Sequence, residues 1–330
     1  MRIWYDAGTG KQVRYGAAIA KRLRGEGHEM VLTTRRHPDT LPLAEFLGES
    51  YMVVGRYHPK SLQTRLKSGI ARQLRFCRIF EKDAPDVAVS HGSVDLCRVA
   101  FGLGKPIILT VDTPYADAVH RLTLPLSKYV VMSKAIPRES IQKYNVDAEI
   151  VSFDGVDEVA WVRDSKPRAK YDFGKPLIVV RQLEEKAVYA RNAAVDMVSL
   201  AKSLTRLGTV VFLSRYHRRA IKGLIVPKGF IDSLSLVAQA DLFVGVGGTI
   251  AREAALQGTP AITVNTFQNQ NVNDFLTGKG FPMFKAELPE VPKLAEKLVG
   301  SKINVKHLLA KLASPVDVIA DLVDKIGEKN

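Results

Sequence analysis

The stretch DLFVGVGGTIAREAALQGTPAI, residues 241–262, contains the pattern of a strand, a turn, a helix and a second strand. Residues 241–246 are almost all apolar, which predicts a buried strand. Residues 250–257 are rich in Ala, Leu and Glu, which are strong helix formers. Pro260 then precedes the apolar run 261–265, which predicts the next strand. Strand, crossover helix and strand form the repeating unit of a parallel α/β sheet, and this unit decides the fold class.

Two adjacent glycines, Gly247 and Gly248, join this strand to its helix. Glycine has no Cβ, so a ligand can approach the backbone, and free N–H groups at the positive end of a helix dipole favour an anion such as phosphate. Thr249 is predicted to cap the helix, and Gly258 to end it in the left-handed conformation. The alternative is a plain βαβ corner with close packing. Two glycines exceed the needs of a simple turn, which favours phosphate.

The alternation of strand and helix patterns extends along all 330 residues, a length that predicts two domains. The charged segment RDSKPRAKYDFGKP, residues 163–176, contains Pro and Gly and is typical of an interdomain linker. We therefore expect an N-terminal domain over residues 1–162 and a C-terminal domain over residues 177–314. The amphipathic pattern of residues 315–330 predicts a helix that packs back towards the N-terminal domain.

Polar side chains follow successive predicted strands of the N-terminal domain. SHGS at residues 90–93 follows one strand, Asp112 follows the next, and Asp117 lies in the polar turn before a third. Because α/β folds place their sites at the carboxyl ends of parallel strands, this pattern predicts a cleft. His91, Asp112 and Asp117 are candidates for a catalytic base. Asp112 precedes Thr-Pro, however, a pattern that is also typical of an ordinary turn.

A second glycine loop, AGTGK at residues 7–11, follows the first predicted strand. A Walker A phosphate loop is excluded, because the first glycine and the Ser or Thr of that motif are missing at the required spacing. Gly8 and Gly10 nevertheless predict a turn lining a cleft, with Lys11 and Arg14 as candidate phosphate contacts. The alternative is that both cations are solvent-exposed on a surface helix.

The balance of charge predicts an anionic partner. The formal net charge is +14. Residues 1–85 contain 16 Lys and Arg against 8 Asp and Glu, so more than half of the excess lies in the first quarter of the chain. Nucleotide phosphates, nucleic acid and an acidic membrane surface all fit this charge. A basic bias of the whole proteome is the alternative explanation.

The cysteines and the hydropathy indicate the compartment. Cys77 and Cys97 both fall within helical patterns, which predicts core thiols in a reducing cytoplasm. No cluster of His and Cys predicts a structural zinc site. No segment has the apolar run that a signal peptide or a membrane span needs. We therefore expect a cytoplasmic protein, with peripheral contact to the inner face of the membrane as an additional hypothesis.

The longest helical pattern covers residues 61–83. Apolar side chains recur at core spacing along it, and basic side chains occupy the remaining face. We expect the basic face to be solvated; contact with a lipid head group or another anionic partner is the alternative. The predicted core residues are Leu62, Leu66, Ile70, Leu74, Cys77 and Phe80, and the cations are Arg65, Lys67, Arg72, Arg75, Arg78 and Lys82.

The run GGTIAREAALQG, residues 247–258, is similar to the Gly-Gly…Glu-Ala…Gly signature of nucleotide-sugar glycosyltransferases with the GT-B fold and of non-hydrolysing UDP-N-acetylglucosamine 2-epimerases. The chain as a whole resembles a largely archaeal family, domain-of-unknown-function family 354. The segments that carry this resemblance are SHGS at 90–93, FGLGKP at 101–106, HRLTLPL at 120–126, GVDEVAWV at 155–162, IVVR at 178–181 and GGTIAREAALQGTPAI at 247–262.

The resemblance implies an α/β protein of two Rossmann-like parallel-sheet domains facing a cleft. It implies that the nucleotide diphosphate binds at Gly247, Gly248 and Thr249, and that Glu253 contacts the ribose hydroxyls. The spacing is compatible with that role, because Glu253 lies one residue beyond the capping-box position if Thr249 is the cap. The alternative is an acid favoured by the helix dipole. A dinucleotide-binding motif is not supported, because Ile250 stands where GxGxxG requires glycine.

We therefore hypothesise a glycosyltransferase that uses a UDP-sugar as co-substrate. Arg181 and Arg215, at the ends of two predicted strands, would offset the charge on the leaving diphosphate. The chain contains no Asp-x-Asp, so we expect neither a metal nor another cofactor. A lipid-phosphate or glycan acceptor would bind the N-terminal domain, with Asp112 as the first candidate for the base, followed by His91 and Asp117.

Two other functions are compatible with the sequence. The first is a UDP-N-acetylglucosamine 2-epimerase-like enzyme. Related epimerases carry a carboxylate directly after the His-Gly pair, where this chain has Ser93, which cannot remove a proton from carbon, and this difference argues against the epimerase hypothesis. A nucleic-acid or anionic-surface binding protein would explain the basic charge, but no RNA-recognition, KH or zinc-finger motif occurs, which argues against nucleic acid. The residues leave the oligomeric state open.

Overall fold

The computed structural model of the chain describes residues 1–58, 60–144, 147–164, 166–182, 196–214, 220–265 and 270–328. The chain divides into two compact units, one formed by Met1–Trp161 with Leu312–Asn330 and the other by Val162–Lys311. Each unit contains one β-sheet whose named strands all pair in parallel. The predicted pair of α/β domains is therefore confirmed.

The first unit contains a seven-stranded sheet of order β3-β2-β1-β4-β5-β6-β7. Its strands are β1 (Arg2–Ala7), β2 (Glu29–Arg36), β3 (Met52–Arg56), β4 (Val87–Ser90), β5 (Ile107–Val111), β6 (Tyr129–Ser133) and β7 (Glu149–Phe153). Its helices up to the boundary are α1 (Gly10–Gly25), α2 (Leu41–Leu47), α3 (Leu62–Ile79), α4 (Val94–Gly102), α5 (Asp117–Thr123), α6 (Glu139–Gln142) and α7 (Val159–Val162).

The second unit contains a five-stranded sheet of order β12-β11-β10-β8-β9. Its strands are β8 (Leu177–Arg181), β9 (Thr209–Leu213), β10 (Leu242–Gly245), β11 (Ala261–Val264) and β12 (Met283–Ala286). Its helices are α8 (Met197–Ser203), α9 (Ser233–Gln239), α10 (Thr249–Ala255), α11 (Asn271–Gly278), α12 (Val291–Leu298) and α13 (Lys306–Leu309). The final helix, α14 (Pro315–Gly327), belongs to the first unit and packs against α1 and β6.

In each sheet, the side on which successive strands are added changes once. In the first unit the chain adds strands outward from β1 to β3 and then returns to place β4 on the other side of β1. In the second unit the same reversal lies between β8 and β10. Because parallel crossovers are right-handed, the helices before and after a reversal cover opposite faces, and a crevice opens at the carboxyl ends of the two strands that flank it. These two switch points are where the fold places ligand sites.

Helix α3 does not turn its predicted apolar face towards the core. Leu62, Leu66, Ile70 and Leu74 are 82%, 64%, 56% and 53% exposed. Cys77 is also exposed and is therefore not a core thiol, whereas Cys97 is buried. The prediction of the core face was therefore wrong for these five residues, whereas Phe80, the sixth, is buried as predicted.

The reason is a buried ion pair. Arg72 of α3 is 4% exposed, and its guanidinium donates to both carboxylate oxygens of Asp6 at the end region of β1, at 2.7 and 2.5 Å. Arg72 Nε also donates to the carbonyl of Val54 in β3. A buried charge without its partner costs far more than an exposed leucine, so the ion pair decides which side of α3 faces the sheet.

The predicted linker, residues 163–176, lies in the second unit and is hydrogen-bonded to α9. The backbone N–H groups of Arg168 and Ala169 donate to Ser235 Oγ, and that of Tyr171 donates to Gln239 Oε1. The segment is therefore held on the surface of that unit rather than standing free.

No helix in the described part of the chain has both the length and the hydropathy needed to cross a bilayer.

Candidate functional site

The first unit has a pocket at its switch point. The pocket has a volume of about 260 Å³ and is lined by the first turn of α1 and by the residues that follow β4 and β5, together with part of α5. Thr9 caps α1 by accepting a hydrogen bond from the Gln12 N–H, so the helix begins at Gly10 and directs Lys11 into the pocket lining. His91 directly follows β4 and Asp112 directly follows β5. The predicted convergence of strand-end residues thus brings His91 and Asp112 together.

Lys11 forms the centre of a charged cluster. Its Nζ lies 2.5 Å from Asp112 Oδ2 and 2.9 Å from Asp157 Oδ2. The Lys11 side chain is 13% exposed, and that of Asp157 is 5% exposed. Lys11 is therefore neither a solvent-exposed charge nor an uncommitted phosphate contact, because two carboxylates already neutralise it. We call Lys11, His91, Asp112 and Asp157 the switch-point cluster.

The imidazole of His91 is held between hydroxyl, carboxylate and aromatic groups. Nδ1 lies 2.6 Å from Thr110 Oγ1, while Nε2 lies 3.7 Å from Asp112 Oδ2 and 3.9 Å from Asp157 Oδ2. The ring packs edge-on against Tyr15, with centroids 5.4 Å apart. With a neutral His91 the formal charge of the cluster is −1, from one ammonium and two carboxylates. Two carboxylate oxygens thus lie within 4 Å of Nε2.

The carboxyl of Asp112 is held ionised. Burial would by itself raise the pKa of Asp112, but the Lys11 ammonium and His91 outweigh burial and hold that pKa well below its usual range. A carboxylate with such a low pKa is a weak base. Asp112 is therefore better suited to hold and orient a neighbouring cation than to remove a proton.

The other predicted residues of this region take different positions. Asp117 is exposed, pairs with Arg121 one turn along α5 at 2.9 Å and accepts a hydrogen bond from the Tyr144 hydroxyl. The structure does not bring Asp117 into the pocket. His120 does line the pocket, and its Nε2 donates to the carbonyl of Thr113 at 2.8 Å. Burial lowers the pKa of His120, so this imidazole is neutral at neutral pH.

In the first glycine loop, the backbone of Gly8 is hydrogen-bonded within the protein. The Gly8 N–H donates to Gln12 Oε1 at 2.6 Å, and the Gly8 carbonyl accepts from the Arg35 guanidinium. Gly10 is the first residue of α1 and packs near the backbone of Asp39. Gly8 and Gly10 were predicted to form a turn lining a cleft; the backbone groups of Gly8 are bonded to its own neighbours, and the pocket is lined by Thr9, Lys11 and Gln12 of this loop and the helix that follows.

Three side chains of the switch-point cluster could in principle hold a metal ion. His91, Asp112 and Asp157 each offer one ligand atom, and these atoms lie within 4.8 Å of one another. The Lys11 ammonium, however, already lies against both carboxylates. A divalent cation would have to displace it, and the two positive charges would repel each other at this distance. The residues therefore do not fit a resident metal.

In the second unit, the switch point brings Arg181 beside the glycine turn. Val180 of β8 pairs with Val244 of β10, so Arg181 is level with Gly245. A Cβ built on Gly245 would lie 3.3 Å from the Cβ of Arg181. Arg181 is thus adjacent to the start of the turn that leads to Gly247. Arg215, the second predicted arginine, lies outside the described residues.

The two glycines of the turn serve different purposes. A Cβ on Gly248 would overlap the guanidinium of Arg252, which packs over it and donates to Asn273 Oδ1 at 3.1 Å. Gly247 is exposed, has no positive φ, and a Cβ built there would meet nothing within 4 Å. Packing therefore explains Gly248 but not Gly247, which leaves room for a ligand at the Gly247 backbone.

The structure corrects the predicted helix cap and shows the surroundings of Glu253. Gly248 occupies the N-cap position in a helical conformation, and Thr249 is the first residue of α10 rather than its cap. Glu253 is 1% exposed, and its Oε2 accepts a hydrogen bond from Ser233 Oγ of α9 at 2.9 Å. Because α10 packs against α9, this carboxylate lies between the two helices, and its predicted contact with ribose stays a prediction. Gly258 ends the stretch in the left-handed conformation, with φ +81°.

Two parts of the charged architecture were missed from the sequence. Asp157 completes the switch-point cluster, and the only signal for it was its position in the segment GVDEVAWV. Asp6 holds Arg72 and accepts hydrogen bonds from Thr33 and Ser93. The signal for Asp6 was an acid within an otherwise apolar strand, a position that requires a partner. Ser93 is thereby engaged with Asp6 and caps α4.

The sequence matches the family model described as "Protein of unknown function (DUF354)" over residues 1–328. The chain belongs to this family. A relative is the uncharacterized protein MJ0665 of Methanocaldococcus jannaschii, which is 27% identical over 97% of each chain.

Solved structures share the fold at low identity. A UDP-GlcNAc 2-epimerase from Neisseria meningitidis, bound to UDP-GlcNAc, superposes with a TM-score of 0.69 at 14% identity, covering 98% of this chain and 100% of the other. The spinosyn forosaminyltransferase SpnP superposes with a TM-score of 0.64 at 15% identity, covering 99% of each chain. This DUF354 protein therefore has the two-domain α/β fold found in glycosyltransferases and in UDP-GlcNAc 2-epimerases.

Proposed function

We propose that this DUF354 protein is a nucleotide-sugar-dependent glycosyltransferase that uses a UDP-sugar and needs no metal. The observation that carries the proposal is the switch-point cluster, in which a histidine, two carboxylates and a lysine surround one side of a pocket. Glycosyl transfer to a hydroxyl requires a base for the acceptor and groups that offset the charge of the departing diphosphate. The switch point of the first sheet offers a candidate base, His91, and that of the second sheet offers a cation, Arg181.

The acceptor hydroxyl would bind in the pocket of the first unit. His91 would take its proton, because an imidazole is suited to accept a proton near neutral pH whereas the Asp112 carboxylate is a weak base. Asp112 and Asp157 would then hold the imidazolium, and Lys11 would hold both carboxylates in place and keep Asp112 ionised. This assignment moves the base from Asp112, the first candidate from the sequence, to His91. A glycan hydroxyl would use this base, whereas a lipid phosphate, the other candidate acceptor, is already ionised at neutral pH and would attack without removal of a proton.

The donor would bind in the second unit. A diphosphate could approach the backbone at Gly247, where a Cβ meets no protein atom, and Arg181 at the end of β8 would offset its charge. The chain contains no Asp-x-Asp that would hold a metal-bound diphosphate. This arrangement supports donor binding through backbone and arginine alone. The Glu253 carboxylate is held by Ser233 of α9, so a structural role is an alternative to its predicted contact with ribose.

A second candidate function is favoured by Asp157. The epimerase hypothesis lacked a carboxylate after the His-Gly pair, where Ser93 stands, yet Asp157 supplies a second carboxylate 3.9 Å from His91. His91 and Asp157 are both residue types that can act as general acid or base at a sugar carbon. The Neisseria protein that shares the fold binds UDP-GlcNAc.

Donor binding is tested by a thermal-shift panel of UDP, GDP, CMP, dTDP, UDP-GlcNAc and UDP-glucose, with and without Mg²⁺. A ligand at 100 times its dissociation constant stabilises by about 2.7 kcal/mol. Gly247→Ala should fold normally but lose the shift, because its methyl group occupies the space of the diphosphate. Gly229→Ala is the matched control, since Gly229 is also exposed, has no positive φ and has open space at its Cβ. No shift with any nucleotide would overturn the proposal.

Incubation with UDP-GlcNAc in D₂O separates the two functions. A transferase releases UDP only when an acceptor hydroxyl is present and leaves the carbon-bound hydrogens of the sugar unexchanged. An epimerase incorporates deuterium at C2 without an acceptor. Deuterium at C2 that disappears in Asp157→Asn would favour the second function over the first.

A further inference from the structure

Helix α3 carries an exposed apolar stripe on an otherwise basic helix. Leu62, Leu66, Ile70 and Leu74 recur every four residues, and each is more than half exposed. Residues four apart lie one above the other on the same side of a helix, so these four side chains form a continuous row along most of the 18-residue helix. We call this row the α3 stripe. Scattered exposed leucines are ordinary, but a row along one helix indicates an interaction surface.

The cations around the stripe are uncompensated. The sequence of α3, LQTRLKSGIARQLRFCRI, contains five Lys and Arg and no acid. Arg72 is buried in its pair with Asp6, whereas Arg65, Lys67, Arg75 and Arg78 are exposed. None of these four forms an ion pair with any residue that the structure describes. The helix therefore presents four aliphatic side chains flanked by four positive charges.

The outward orientation of the stripe is enforced by the core. Rotating α3 to bury its leucines would withdraw Arg72 from Asp6, from the Val54 carbonyl and from Asp95. It would also leave Asp6 buried without its cation. The N-terminus of the helix is fixed as well, by a capping box in which Ser61 and Thr64 satisfy each other's backbone N–H groups. The stripe is exposed because the buried ion pair holds it there.

Neighbouring helices extend the apolar character of this face. Helix α4 packs beside α3, and α5 packs beside α4. The end of α4 exposes Phe101, the residue after it exposes Leu103, and α5 exposes Leu122. Arg98 is exposed between them on α4. Three adjacent helices of the same layer thus expose large apolar side chains together with cations.

We propose that α3 docks this protein onto a lipid bilayer surface that carries anionic head groups. A helix with an apolar face and flanking Lys and Arg lies in the plane of the interface, with its aliphatic side chains at the boundary of the acyl chains and its cations at the phosphates. A second copy of the chain is the less suitable occupant. Two α3 helices packed face to face would bring eight cations together with no acid from either helix to offset them.

The experiment measures binding of the full chain to sedimenting vesicles of phosphatidylcholine alone and of phosphatidylcholine mixed with phosphatidylglycerol. We expect binding to the anionic vesicles that weakens as salt is raised, because the cations contribute. Leu66→Gln/Ile70→Gln should lower the partition coefficient about tenfold or more. Arg75→Gln/Arg78→Gln should lower it by on the order of tenfold on anionic vesicles only. All four positions are exposed, so folding should be retained, which urea unfolding checks.

Matched controls come from the second unit. Ile303→Gln removes an aliphatic side chain that is also exposed, and Lys293→Gln/Lys297→Gln removes two exposed cations from α12. Both should bind vesicles as the wild type does. The proposal is overturned if the wild type does not bind anionic vesicles, or if the α3 variants bind as well as these controls. A wild-type dimer that Leu66→Gln/Ile70→Gln converts to a monomer, without vesicle binding, would assign the stripe to a second copy instead.

Discussion

Lys11 Nζ lies 2.5 Å from Asp112 Oδ2, although the two residues are 101 positions apart in the chain. The contact joins the first turn of α1 to the end of β5 across the switch point of the first sheet. From the sequence, Lys11 was predicted to contact phosphate and Asp112 to act as the base, but in the structure the two side chains form one ion pair. The proposed role of His91 depends on this ion pair, because Lys11 keeps Asp112 ionised beside the imidazole.

The first prediction concerns the pH dependence of folding. The pKa of Asp112 in the folded protein lies well below that of an unfolded aspartate, which is about 3.9. Ionised Asp112 therefore adds stability that is fully present above about pH 3.9 and is lost as the pH falls towards the folded-state pKa. The difference in unfolding free energy between the wild type and Asp112→Asn should be largest at pH 7 and smaller at pH 3, as measured by urea unfolding.

Lys11→Met serves as the companion variant for this measurement. Without the ammonium the pKa of Asp112 rises, so the advantage of the wild-type carboxylate over Asn should shrink at pH 7 in the Lys11→Met background. An equal Asp112→Asn effect in both backgrounds would show that Lys11 does not hold the carboxylate ionised. In a glycosyl-transfer assay, Lys11→Met and Asp112→Asn should each still bind the nucleotide but no longer transfer the sugar.

The second prediction concerns the Arg72–Asp6 pair. Arg72→Met should destabilise the first unit by about 3–5 kcal/mol, because it leaves Asp6 buried without its cation. Arg75→Met is the control on the same helix, and as an exposed substitution it should change stability by less than about 0.5 kcal/mol. Chemical denaturation measures both. If the two variants are equally stable, the ion pair does not determine the orientation of α3.

The third prediction concerns Glu253. Because its carboxylate accepts from Ser233 within a buried contact of α9 and α10, Glu253→Ala should destabilise the second unit by about 1–3 kcal/mol. Glu296→Ala, at an exposed position of α12, should be nearly neutral. Thermal unfolding of both variants decides between a packing role and the ribose role implied by the family resemblance. Unchanged stability with weakened UDP binding would support the ribose role.

The fourth prediction uses the glycine turn. Gly248→Ala should destabilise the second unit, since its methyl group overlaps the Arg252 guanidinium and forces it from Asn273. Gly247→Ala should leave the melting temperature of the free protein unchanged, because its methyl group meets no protein atom. Differential scanning calorimetry without ligand makes the comparison. Equal destabilisation at both positions would contradict the open space at Gly247.

The fifth prediction concerns metals. Lys11 occupies the position between Asp112 and Asp157 that a divalent cation would need, and the chain has no Asp-x-Asp. EDTA treatment should therefore change neither UDP affinity, measured by calorimetric titration, nor turnover. Restoration of lost activity by Mg²⁺ or Mn²⁺ after chelation would show that the switch-point cluster holds a metal after all. Lys11→Met would then be expected to tighten metal binding.

The sequence by itself determined the layers of the fold and the strand ends at which the candidate site residues lie. Alternating apolar runs and helical patterns predicted two parallel sheets, and polar residues at strand ends placed His91 and Asp112 at one edge of a sheet. Gly258 was predicted as a left-handed helix end and has φ +81°. These features follow from local chemistry, since side-chain periodicity and glycine conformation depend on residues within a few positions of each other.

The tertiary structure decided which face each helix buries and which charges meet. The apolar period of α3 correctly predicted a row of apolar side chains, but not that this row faces away from the core. The ion pair of Arg72 with Asp6 sets that orientation, and Asp6 lies 66 positions before Arg72. In the same way, Glu253 accepts a hydrogen bond from Ser233 of α9, and Asp157 contacts Lys11 from 146 positions away. A buried charge needs a partner of opposite charge, and that partner can come from any part of the chain. A local sequence pattern therefore does not predict which residue it is.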